Sequence, residues 1–258
     1  MMKTLRQPQF AIHAMYYSQM NQQLEELKKH SNRPVLYYMI DLQNSLMVDI
    51  LKRKILSSDE KVKLTFKDLA EKMILAMFDE FVEIKDWIDE FSDTKYIVKI
   101  NECKIECRYE VIDIYHFLWQ LLLIVNIIDI GLNNRIGDYV NDETRQEAIV
   151  DKVTNDVMST FNFTFDTPYK EIITYNELIL RGLVNLSKLL NLFPWKHWKT
   201  YDEDYKIDYS EFLKVANELH EVLSEMFIRF GGKKDLESLV IHYMVKNYEN
   251  FSRQERGY

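Results

Sequence analysis

Apolar and polar residues recur with the 3.6-residue period of an α-helix along most of this chain. Thr65 with Asp68, and Asp208 with a Glu three residues later, are typical helix starts, and the Gly-Gly pair at 231–232 is a typical helix end. The pattern predicts helices over about residues 13–30, 34–56, 65–91, 108–131, 168–193, 210–230 and 236–250, and a further helix after the charged run 141–147. The sequence therefore predicts an all-α protein.

Three stretches depart from this regular pattern. The alternating stretch Lys95–Cys107 predicts either a short β-hairpin or the beginning of the following helix. Gly137 and the charged run 141–147 predict a loop. The stretch STFNFTFDTP predicts an irregular connection, which ends where Thr167 caps the next helix and Pro168 takes its first position.

Composition supports a helical fold and narrows the class of protein. Six glycines and four prolines in 258 residues supply little of the turn chemistry that a many-stranded β-protein needs. Since no low-complexity linker divides the chain, we expect one domain over residues 1–258. The net charge of −8 argues against sequence-independent binding to nucleic acid, which needs a basic surface.

Three local features bear on the cellular setting. The most apolar stretch, Ile114–Ile128, is shorter than the ~20 residues that span a bilayer, so it predicts a buried helix and no membrane anchor. The first residues lack the apolar core of a signal peptide. Cys103 and Cys107 have no His or Cys group nearby at zinc spacing, so we expect reduced packing residues. Together these features predict a cytoplasmic protein.

Two acidic pairs are candidates for chemistry. Glu80 and Glu83 are three residues apart, which places them on one helical face, and Glu110 and Asp113 repeat that spacing. The second pair lies among apolar residues, where carboxylates are costly unless they are paired or bind a cation. Four facing carboxylates would form an oxygen-rich site that suits Mg²⁺. Taken separately, the first pair also fits a solvated face, and the second fits a pair neutralised by Lys or Arg.

The order of these pairs resembles that of a known superfamily. The pattern E-x-x-E, a gap of 26 residues, then E-x-x-D is similar to the all-α nucleoside triphosphate pyrophosphohydrolases, which include dimeric dUTPases, phage dCTP pyrophosphatases and MazG-type enzymes. Three further segments resemble the dUTPase and dCTP pyrophosphatase branch: EVIDIYHF, PWKHWK and the C-terminal KNYENFSRQERGY. The resemblance implies a single-domain helical bundle, a homodimer, and two or more bound Mg²⁺ ions.

The resemblance also implies roles for individual residues. The four carboxylates would hold the magnesium ions, and one of the first pair would help to activate water. Gln43 would face the pyrimidine of the substrate. The other substrate-binding residues would be His116 in the second acidic motif, Trp195, Lys196 and Trp198 in PWKHWK, and Lys246, Asn250, Arg253 and Tyr258 in the C-terminal motif.

Two departures from the branch pattern bear on substrate and organisation. Uracil-specific enzymes usually carry Asn four residues after the base-facing Gln, and this chain has Met47. PWKHWK lies over 80 residues after Glu110, whereas in relatives it follows soon after the first acidic pair. The helix before it resembles the first acidic helix, with Asn185 and Lys188 in place of carboxylates. A degenerate internal duplication, with half-repeats at about 34–135 and 168–235, would account for this arrangement.

The function that the resemblance implies is Mg²⁺-dependent hydrolysis of dUTP, dCTP or both to the monophosphate and pyrophosphate. Water would attack the α-phosphorus, and pyrophosphate would leave. The motifs and the composition rich in Lys, Ile and Asn resemble those of a phage of a low-GC host, whose nucleotide pool the enzyme would adjust in the host cytoplasm. Two alternatives stay open: a nucleotide-gated regulator that binds a protein partner, and a broad MazG-type housecleaning enzyme, whose members lack the RQxxGY tail.

Overall fold

The computed structural model describes residues 9–57, 65–165, 173–194 and 206–255. Within these ranges the chain forms nine α-helices and no strand, so the predicted all-α fold is confirmed. The helices are α1 (Gln9–His30), α2 (Val35–Ser57), α3 (Phe66–Asp93), α4 (Ile97–Asp129), α5 (Ile136–Val140), α6 (Glu143–Thr160), α7 (Tyr175–Asn191), α8 (Tyr209–Arg229) and α9 (Leu236–Glu255).

Strong local signals explain why several helices begin and end where the sequence predicts. Thr65 and Asp68 form the predicted capping box at the start of α3. Asp208 accepts a hydrogen bond from the backbone N–H of Glu211 at the start of α8. That helix ends before Gly231, whose φ of 90° lies in the left-handed region that favours glycine. These predictions are confirmed.

Other local predictions were wrong or fall outside the described residues. The hairpin alternative for Lys95–Cys107 is wrong, because α4 covers nearly all of this stretch. Gly137 lies inside the short helix α5, whereas a loop was predicted there. Thr167 and Pro168 lie outside the described residues, and α7 begins at Tyr175. The predicted irregular connection is seen only in part, as the non-helical residues that follow α6.

The fold is built around α4. This helix contacts α1, α2, α6, α8 and α9, and α3 packs along its length. Its composition and length would allow it to cross a membrane, but 83% of its most apolar 18-residue segment is buried inside the protein. Burial by neighbours on many sides explains why the sequence of α4 is apolar nearly all round. Cys103 and Cys107 are buried, unpaired thiols in this helix, as predicted.

A glycine sets the distance between α7 and α3. A Cβ atom on Gly182 of α7 would lie 2.2 Å from the ring of Phe81 on α3, a distance that no ordinary contact reaches. Both residues are buried. The missing side chain therefore allows α7 to approach the turn of α3 that also carries Glu80. Packing at this point holds that turn in place, and with it one side of the candidate site.

Candidate metal centre

Three of the four predicted carboxylates meet where α3 packs against α4. One oxygen from each of Glu80, Glu110 and Asp113 lies within 4.8 Å of the others. Glu80 comes from α3, and the other two come from successive turns of α4. Carboxylates this close repel one another unless a cation lies between them. The fold therefore brings one member of the first predicted acidic pair and both members of the second to one place.

Glu83, the fourth predicted carboxylate, lies one turn further along α3. It is half-buried and does not belong to the group of three oxygens. Its charge nevertheless contributes to raising the pKa of Glu80, so it lies within electrostatic reach of the cluster. Glu83 could supply a further oxygen to an ion held by the other three.

Glu80 is strongly perturbed by its surroundings. Its Oε2 atom is buried and has no hydrogen-bond partner among the described residues. Burial, followed by the negative charges of Asp113 and Glu110, raises the pKa of Glu80 to about 10. The side chain therefore carries a proton at neutral pH when no metal is bound. A divalent cation in the cluster would replace that proton.

Lys246 on α9 brings a positive charge to the cluster. Its Nζ atom lies 2.8 Å from an oxygen of Asp113 and 3.4 Å from an oxygen of Glu249, and the side chain is 1% exposed. Burial alone would lower the pKa of Lys246, but Asp113 and Glu249 hold it above its ordinary value. Among the described residues, Lys246 is the one group whose charge lowers the pKa of Glu80.

The other C-terminal residues predicted to bind substrate continue along α9. Arg253 donates to Glu249, so this one buried carboxylate lies between the two predicted phosphate-binding cations. Asn250 is half-buried on the same helix. Tyr258, like Trp195, Lys196 and Trp198, lies outside the described residues. Glu249 was not among the residues predicted from the sequence, although its spacing from Lys246 and Arg253 places all three on one helical face.

The two remaining predicted residues, Gln43 and His116, lie together in a buried polar network. The Oε1 atom of Gln43 accepts from the hydroxyl of Tyr243 at 2.7 Å and lies 2.9 Å from Nδ1 of His116. Its Nε2 atom donates to Oε1 of Gln120 at 3.0 Å. The His116 and Tyr243 rings stack with centroids 3.9 Å apart. Gln43 is 2% exposed, and its carbonyl oxygen is already satisfied.

Tyr243 and Gln120 also belong to this network, and neither was predicted from the sequence. Gln120 interrupts the most apolar stretch of the chain, which is the signal that could have identified it. Tyr243 lies three residues before Lys246, so both project from a similar side of α9. Burial, and then the charge of Lys246, lower the pKa of His116 well below its ordinary value. The imidazole is therefore neutral.

Comparisons with models of known protein families, with curated proteins and with solved structures give no match. The relation to the all-α pyrophosphohydrolases therefore stays a prediction that depends on the sequence motifs.

Proposed function

We propose that this protein is a magnesium-dependent pyrophosphohydrolase of a deoxypyrimidine triphosphate. The observation that carries the proposal is the cluster of Glu80, Glu110 and Asp113, three carboxylates from two helices within 4.8 Å of one another. Such crowding is costly unless cations compensate for it, and Lys246, which contacts Asp113, leaves the buried Oε2 atom of Glu80 without a described partner. The sequence motifs supply the expected substrate class.

The residues present suit a hard divalent cation. All the candidate ligand atoms are carboxylate oxygens, which magnesium and manganese prefer, and no sulfur or imidazole ligand belongs to the described cluster. The buried Oε2 of Glu80 provides an acceptor that no described hydrogen bond satisfies. Glu80, Glu110 and Asp113 would hold the ion, and Glu83 would join them when a second ion binds.

The residues around the cluster suit a polyphosphate. Bound magnesium would supply an acidic water and offset the negative charge of the phosphates. Lys246 and Arg253 are the cations of α9, and Glu249 holds them on one face of that helix. When phosphate oxygens bind, these cations would exchange part of their contact with Asp113 and Glu249 for contact with the substrate.

The assay that tests the proposal is release of pyrophosphate from the four common ribonucleoside triphosphates and from dATP, dGTP, dCTP and dUTP, with and without Mg²⁺. We expect turnover of dUTP, dCTP or both, and no turnover after chelation of the metal. Absence of pyrophosphate release from every nucleotide in saturating Mg²⁺ would contradict the proposal. The homodimer, which the resemblance implies, and the cytoplasmic location remain predictions, and light scattering measures the oligomeric state.

A further inference from the structure

One narrow stripe of α4 is less deeply buried than the rest of the helix and is partly exposed to solvent. Between Glu106 and Ile127, the residues that are not buried are Asp113, Phe117 and Gln120. They are four and three residues apart, so they share one face of the helix. Asp113 belongs to the candidate metal centre, which lies at one end of the stripe. Gln120 lies at the other end.

The order of these residues matches the order of groups in a nucleotide. Asp113 and Gln120 are separated by about 10 Å along the helix axis, at ~1.5 Å per residue. A nucleotide with its phosphates at the metal centre would extend from Asp113 along the stripe. The ring of Phe117 would lie beside the sugar and base, and Gln120 would reach the edge of the base farthest from the sugar.

Hydrogen bonds determine which way the amide of Gln43 points. The buried hydroxyl of Tyr243 needs an acceptor for its proton, and it donates to Oε1 of Gln43. Nδ1 of His116 lies 2.9 Å from the same oxygen and, in a neutral imidazole, can carry the proton that this contact requires. The carbonyl of Gln43 therefore faces these two rings, and its NH₂ group faces Gln120.

The orientation of the Gln43 amide determines that of the Gln120 amide. Its Oε1 accepts the hydrogen bond from Nε2 of Gln43 at 3.0 Å. Since the oxygen of Gln120 faces Gln43, its NH₂ group must point elsewhere, and the residue is only half-buried. The network thus presents an N–H donor of fixed orientation at the far end of the stripe. Gln43, which is buried and bonded on both sides of its amide, positions this donor.

We propose that Gln120 reads the base, and that its amide donor selects a pyrimidine with a carbonyl group at position 4. Uracil has an acceptor oxygen there, whereas cytosine has an amino group that donates. The inference depends on the proposed function and names its preferred substrate, dUTP over dCTP. A site built to hydrogen-bond one group discriminates strongly against an analogue that leaves its donor unpaired.

Gln120→Glu tests the inference because the two side chains have the same shape. The carboxylate keeps an oxygen for the hydrogen bond from Gln43, and it replaces the outward donor with an acceptor. We expect the ratio of kcat/KM for dCTP to that for dUTP to rise at least about tenfold. Gln22→Glu makes the same change of charge at an exposed position of α1 and should leave the ratio unchanged. Thermal unfolding checks that both variants fold.

The outcomes distinguish failure of the proposed function from failure of base recognition by Gln120. A raised ratio in Gln120→Glu alone supports the reading of the base by Gln120. Turnover with an unchanged ratio in Gln120→Glu overturns that reading and leaves the proposed function intact. Gln120→Leu provides a second test if the carboxylate prevents folding, because loss of the donor should reduce the preference for dUTP. If the wild type hydrolyses neither nucleotide, the proposed function fails and the reading of the base fails with it.

Discussion

Two helix pairs, α3 with α4 and α7 with α8, differ in how their polar residues are partnered. In the pair α3 and α4, Glu80, Glu110 and Asp113 crowd together between the two helices. In the pair α7 and α8, the predicted internal duplication would place Asn185 and Lys188 at the positions of the first acidic pair. Lys188 lies at the surface, 2.6 Å from an oxygen of Glu218. The first pair of helices brings together carboxyl groups that are costly to ionise, with Lys246 beside them, and the second pair balances its charges at the surface.

The contrast is sharper for the buried residues of α8. His220 is fully buried, and its Nδ1 atom lies 3.0 Å from the hydroxyl of Tyr115. Its Nε2 atom lies 3.1 Å from the carbonyl oxygen of Asn162, so the neutral ring has a partner on both sides. Such a network stabilises a core. Glu80 has a buried oxygen without a described partner, so its site is better suited to binding a ligand than to stability.

The largest expected effect is that of Glu110→Gln on turnover. The change keeps the shape of the side chain and removes one negative ligand from the cluster. We expect pyrophosphate release to fall by roughly a thousandfold, about 4 kcal/mol of transition-state stabilisation. Circular dichroism should show unchanged helicity. Glu26→Gln on the exposed face of α1 is the matched control, and full activity in Glu110→Gln would remove the metal site from the account.

The second effect is a loss of stability in acid that depends on His220. Burial lowers the pKa of His220 to about 4, from an ordinary value near 6.5. Below pH 6.5, His220 is protonated in the unfolded chain but stays neutral in the folded protein. The free energy of unfolding therefore falls as the pH drops toward 4. The difference amounts to about 3 kcal/mol. Urea unfolding between pH 7 and pH 4 measures it in the wild type.

His220→Gln should remove this contribution to the pH dependence. His30→Gln, at a histidine whose side chain is 79% exposed, should keep it. If His220→Gln loses as much stability as the wild type over this range, the neutral, fully bonded ring is not the cause.

The third effect is that of Glu80→Gln on stability, and its sign depends on whether a metal is bound. The pKa of Glu80 is raised by burial and by Asp113 and Glu110, so the stability that comes with its protonated form is complete below about 4.5 and is lost as the pH rises toward 10. In EDTA at pH 8, Glu80→Gln should therefore stabilise the protein by about 2 kcal/mol. In saturating Mg²⁺ the wild type should be the more stable protein. Equal melting curves in EDTA would show that the cluster carries no strain.

The smallest expected effect is on stability, from loss of the ion pair between Lys188 on α7 and Glu218 on α8. Lys188 and Glu218 have side chains that are 48% and 35% exposed, so water screens their attraction. Lys188→Ala should change the free energy of unfolding by less than about 1 kcal/mol. Chemical denaturation measures this change. A loss above about 2 kcal/mol would mean that the pair contributes to the core, and the contrast between the two regions would weaken.

The helices could be predicted because their signals are local. Capping residues such as Thr65 and Asp208 act within one turn, and periodicity identifies the buried face. Lys95–Cys107 was ambiguous because the first turn of α4 is exposed, as at Ile97 and Val98, which have exposed fractions of 75% and 71%. Because these apolar residues lie at the surface, apolar positions in this stretch do not repeat with the 3.6-residue period that identifies a helix. Gly137 was misassigned because α5 is a single short turn that little sequence signal specifies.

The candidate site could be predicted only in part. Spacing in the sequence placed Glu110 and Asp113 on one face of a helix, but only the packing of α3 against α4 brings Glu80 to them. The contact of Lys246 with Asp113 joins residues far apart in the chain, and no local pattern encodes it. The same applies to Gln43, which the resemblance placed at the base and the fold buries behind Gln120.

The central claim is that the acidic cluster binds a divalent cation, and a calorimetric titration of Mg²⁺ into the metal-free protein tests it most directly. The account predicts saturable binding to the wild type, with loss of that binding in Glu110→Gln and unchanged binding in Glu26→Gln. Equal binding of Mg²⁺ by the wild type and Glu110→Gln, or no binding by either, would contradict it.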